Sequence, residues 1–103
     1  MKLSDYKLDN WTSRKVKRQK KLADQKILLL SLKGSSPPPG SKNLLAIDNE
    51  DNIIWIADLP TNSYDSYYEM NFTDGIIYGR SSNSYIAEIN PRNGKLIRKY
   101  LVK

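Results

Sequence analysis

A chain of 103 residues is long enough for one domain that buries about two thirds of its unfolded surface, and too short for two. It contains no cysteine and no histidine, which removes disulfides, thiolate metal sites, cysteine nucleophiles and every catalytic arrangement built on an imidazole. The formal charge of +6 is unevenly placed: residues 1–42 sum to +8 and residues 43–103 to −2.

In chain order, the segment 1–13 lacks the apolar core of a secretory signal, and no apolar run approaches the length needed to span a bilayer. A cytoplasmic protein without a membrane association is expected. Residues 14–22 have the composition of a helix, yet Val16 and Leu22 share strand parity and make no helical stripe. A strand is therefore predicted, turning at Ala23-Asp24-Gln25 into a second strand over 26–32. The run Gly34 to Ser41 contains three consecutive prolines, which supply no donors and hold an extended conformation, so it connects and does not pair.

Strands over 43–48 and 53–58 flank Asn49-Glu50-Asp51-Asn52, whose residue types close tight turns. Four more strands follow at 66–72, 76–80, 84–89 and 95–102, punctuated by Thr73-Asp74-Gly75, Ser81-Ser82-Asn83 and Asn90-Pro91-Arg92-Asn93-Gly94. The fold class is all-β: two four-stranded antiparallel meanders, residues 14–58 and 66–102, packed as a compact sandwich or half-barrel in a single domain. Ile27, Leu29, Ile47, Ile54, Trp55, Ile77, Ile89 and Leu96 are expected in its core.

The third and fourth strands of the two units align without a gap, with Asp48 on Asn90, Asn52 on Gly94 and Trp55 on Ile97. Leu45-Ala46-Ile47-Asp48, followed by Asn52 and Trp55, resembles the blade motif of quinoprotein-like (pyrroloquinoline-quinone-type) β-propellers. The resemblance implies structural roles for Asp48, Asn52, Trp55, Asn90 and Gly94, and brings no cofactor, because two units do not close a ring. The layout is also similar to short bacterial proteins with two such units and a proline-rich connection, some of them associated with toxin–immunity loci. Two units leave a face to cover, by each other or by a second copy, so monomer and homodimer are both expected states.

Asp48, Glu50, Asp51 and Asp58 lack the spaced ligands of a calcium loop, and turn chemistry accounts for them. No catalytic residue, cofactor or metal site is assigned. Arg14, Lys15, Lys17, Arg18, Lys20 and Lys21 fall within eight positions, which is either an electrostatic footprint or a lysine-guarded sheet edge. Tyr64, Tyr67 and Tyr68 lie at a loop, where tyrosine supplies contact area at little entropic cost. These nine residues are the candidate partner-binding set. The reading is a non-catalytic module of inhibitor or immunity type that blocks a protein partner; the alternative is a nucleic-acid binder using the basic strand.

Overall fold

A computed structural model describes residues 16–30, 42–61 and 65–102. Arg14, Lys15, Tyr64, the segment 1–13 and the proline connection lie outside the described residues. Eight strands form: β1 (Val16–Lys21), β2 (Lys26–Leu30), β3 (Leu44–Ile47), β4 (Ile53–Ile56), β5 (Tyr67–Thr73), β6 (Ile76–Ser81), β7 (Tyr85–Ile89) and β8 (Leu96–Leu101). They make two four-stranded sheets, ordered β1-β2-β3-β4 and β5-β6-β7-β8, with every pairing antiparallel. This is the all-β pair of meanders expected from the sequence. No helix of the described residues is long and apolar enough to cross a membrane.

Four β-bulges among the described strands alter the details, because each inserted residue flips the side chains beyond it to the opposite face. Lys17 is bulged between Val16 and Arg18. Val16 and Leu22 are consequently on different faces despite their shared parity: Val16 is exposed, while Leu22 packs against the core. Ile54 is bulged between Ile53 and Trp55 opposite Ala46 and Ile47, and is 39% exposed, not buried as expected. Ile97 occupies the same place between Leu96 and Arg98 and is 50% exposed.

The two strand-turn-strand units therefore correspond, but with an offset. Asp48 N–H bonds to the Asn52 carbonyl at 2.9 Å, whereas Asn90 N–H bonds to Lys95, one residue further on, also at 2.9 Å. The second turn is one residue longer. Ile54 corresponds to Ile97 and Trp55 to Arg98, and the left-handed turn residue matching Gly94 (φ 73°) is Asp51 (φ 67°), not Asn52. Both turns open alike: Asp48 Oδ1 accepts from Glu50 N–H at 2.8 Å and Asn90 Oδ1 from Arg92 N–H at 2.9 Å.

One core joins the sheets. Ile27, Leu29, Leu44, Ala46 and Trp55 from the first sheet meet Tyr67, Met70, Ile77, Ala87 and Ile89 from the second. The opposite face of the first sheet, with Leu28, Leu30, Leu45, Ile47 and Ile53, is buried as well. Burial on both faces is why β2 and β3 read as unbroken apolar runs and not as alternating strands. Ile47 and Ile89 hold equivalent hairpin positions yet belong to different clusters. The sheets accordingly stack through non-equivalent faces, head to tail.

Candidate partner-binding edge

β1 is the outer strand of its sheet and all six of its residues are exposed. Lys17 Nζ donates to the Tyr68 carbonyl at 3.0 Å and Lys21 Nζ to Asn49 Oδ1 at 3.3 Å. Among the described residues the ion pairs are Lys42–Asp58, Arg80–Glu69 and Arg98–Glu88. None of them engages Lys17, Arg18, Lys20 or Lys21. Among the described residues no carboxylate pairs with these four side chains, and all of them are exposed.

Of the tyrosines expected at the partner surface, the described pair divides. Tyr68 is the bulged residue of β5 and is 41% exposed, next to Lys17. Tyr67 is fully buried and offers no surface to a partner. Its ring lies where a Cβ on Gly79 would sit, at 2.7 Å, so the bare glycine makes room for it across the ladder. Its hydroxyl donates to the Asp58 carbonyl at 2.6 Å.

Burial pushes the Tyr67 phenol well above its ordinary value, and the charges of Asp65 and Asp58 push it further. Between the ordinary value, about 10, and the raised one, the unfolded chain releases this proton while the folded chain keeps it. The contribution is intact below pH about 10 and is lost as pH climbs past it. Tyr67→Phe should be less stable than the parent by about 1 kcal/mol at pH 7, for the lost hydrogen bond. Its urea midpoint should then fall less than the parent's between pH 7 and pH 11; an equal fall would contradict the assignment.

Tyr67 is also where the sheets are fastened. The buried Asn43 side chain donates from Nδ2 to the carbonyls of Leu30 (3.0 Å) and Tyr67 (2.6 Å), and its Oδ1 accepts from Tyr67 N–H at 2.9 Å. An amide side chain so placed imitates one residue of a neighbouring strand on the edge of β5. The sequence carried no local sign of it, since Asn43 reads only as the first residue of a strand over 43–48 and nothing in that strand says what its amide meets. The same holds for Asp65, which is buried and accepts from Thr61 Oγ1, Ser66 N–H and Asn83 N–H at 2.9, 2.9 and 3.1 Å.

Beyond Asn43, the edges of β1 and β5 face one another across a cavity of about 180 Å³, lined by Arg18, Gln19, Lys20, Met70, Asn71 and Phe72. Folding thus sets the cations beside an aromatic ring that lies some fifty positions away in the chain. The acids considered from the sequence do not gather: Asp48 also binds Asn52 N–H and Asn52 Nδ2, at 2.9 and 3.1 Å, as a turn residue. Among the described residues no three potential metal ligands cluster.

No curated protein and no solved structure matches the chain. A family model described as Domain of unknown function (DUF7957) matches residues 10–101, a span that takes in all eight strands and both sides of the β1/β5 groove. The chain belongs to that family.

Proposed function

We propose that this protein is a non-catalytic binding module of the inhibitor or immunity type, which covers an acidic surface of a protein partner with β1 and the adjoining edge of β5. The observation that supports the reading is the set of four exposed cations, Lys17, Arg18, Lys20 and Lys21, none of them in an ion pair with a described carboxylate. A lysine-guarded edge would also repel strands of its own kind, and the two uses are compatible. The expected site of action is the cytoplasm.

A second reading has its own support. Phe72 lies beside Arg18 and Lys20 in the groove, an aromatic plane among cations, which is the pairing that single-strand nucleic-acid binders use. Fluorescence anisotropy with labelled poly-L-glutamate and with oligothymidylate, each titrated at several salt concentrations, separates the two. The partner reading expects the polypeptide to bind more tightly at physiological salt. It also expects Lys17→Glu, Arg18→Glu, Lys20→Glu and Lys21→Glu together to abolish that binding. Tighter binding of oligothymidylate, with a log–log salt slope of about −3 for four phosphate contacts, would establish the second reading instead.

A further inference from the structure

Successive residues of a strand point to opposite faces, so a cavity formed by side chains on one face is lined by every second residue. This one is lined by two consecutive triplets, Arg18-Gln19-Lys20 and Met70-Asn71-Phe72. Such a lining arises when the backbone edges themselves form the walls.

The hairpin registers say which backbone groups face in. Asp74 and Gly75, both at positive φ, form a two-residue turn between Thr73 and Ile76, which makes that pair a hydrogen-bonded one. The alternation of an antiparallel ladder then directs the N–H and C=O of Met70 and Phe72 away from β6. On the other wall, Leu22 N–H bonds to the Gln25 carbonyl at 2.7 Å, so the same alternation turns the backbone of Gln19 away from β2. The outer edge of β5 therefore presents a series of pairing positions. Tyr67 is taken by Asn43, and the Tyr68 carbonyl by Lys17. No strand of the described residues pairs with those of Met70 and Phe72.

We infer that the groove receives an extended acidic segment of a partner protein, which adds as a strand to β5 at Met70 and Phe72. Resting on the partner-binding reading above, this names the mode of capture. Two N–H and two C=O groups of β5 supply the backbone pairing, as in other edge additions. Arg18 and Lys20, with Lys17 and Lys21 at either end, select carboxylate side chains on the incoming strand. A second copy of this chain is disfavoured as the occupant, since β1 would meet β1 with four cations on each side.

The test uses the full chain, isotopically labelled for NMR, and a capped octapeptide of alternating valine and glutamate at up to millimolar concentration. Strand addition predicts saturable shifts centred on Met70 and Phe72 and slower exchange of their amide protons. It also predicts at least about tenfold weaker binding once alternate peptide nitrogens are methylated, the loss of one or two hydrogen bonds. A valine–lysine peptide should not bind. Undiminished binding of the methylated peptide, or no binding by the octapeptide, overturns strand addition, and if poly-L-glutamate still binds, the partner reading stands without it. Shifts at Met70 and Phe72 that depend on protein concentration alone would assign the groove to a second copy and overturn the inference.

Discussion

Replacing Trp55 by alanine is expected to lower the free energy of unfolding by about 3–5 kcal/mol, the range for emptying a buried indole site. The indole joins the sheets at a point that the hairpin turns create. Its ring fills the hollow over Gly94, where a Cβ would lie 2.5 Å from the ring, and its Nε1–H donates to the Pro91 carbonyl at 2.9 Å. Gln25 Nε2 donates to that same carbonyl at 2.8 Å, and Asp58 N–H to the Gly94 carbonyl at 3.2 Å, so the turn at 90–95 is gripped from the first sheet at three points. For a domain of this size the loss corresponds to a melting temperature lower by roughly 12 °C or more. Gly94→Ala should also destabilise, through the collision and through its φ of 73°. Combining the two substitutions separates these causes. Removing the ring relieves the collision and leaves the backbone strain, so the double variant should be more stable than the sum of the single losses implies. Strict additivity, measured by urea unfolding of the four proteins, would mean that Trp55 and Gly94 do not share this contact.

The architecture was legible because turn residues carry their meaning locally. Asp74-Gly75 and Asn93-Gly94 announce hairpins wherever they fall between apolar strands, and so the strands and their antiparallel order followed. Register was less legible. A bulge is a single residue with no composition of its own, and Ile54 and Ile97 are as apolar as the buried isoleucines beside them; only the ladder shows that they are pushed outward. The gapless alignment failed for a related reason. It equated Asn52 with Gly94 by laying Asp48 on Asn90 and counting on without a gap, but in the shorter turn the left-handed position falls to Asp51. Tyr67 went from surface to core on tertiary grounds: a glycine on the next strand leaves space for its ring, and no spacing within β5 encodes that. The basic strand was visible from charge alone. That its edge would face β5 was not, because local sequence does not say which sheet edges meet.

Asn43→Ala is expected to match or exceed the other core losses, at about 3–5 kcal/mol, even though it deletes only a small polar side chain. Its effect lies in what is left behind. Three backbone groups, the carbonyls of Leu30 and Tyr67 and the N–H of Tyr67, would lose their partners inside the protein. Each such group costs about 1–3 kcal/mol when water cannot replace the lost bond. Asn43→Asp is nearly isosteric and is the sharper test. The carboxylate can still accept from Tyr67 N–H but has nothing to donate to the two carbonyls, and it would bring a buried charge beside them. It should therefore be at least as damaging as alanine at pH 7, and recover part of the loss towards pH 4, where the protonated acid regains a donor. Were Asn43→Asp as stable as the parent at neutral pH, the amide could not be the fastening that holds the edge of β5. The consequence extends to binding. With Asn43 gone, Tyr67 becomes a further open position on that edge, so destabilisation and a wider backbone slot for an incoming strand should appear together in one variant.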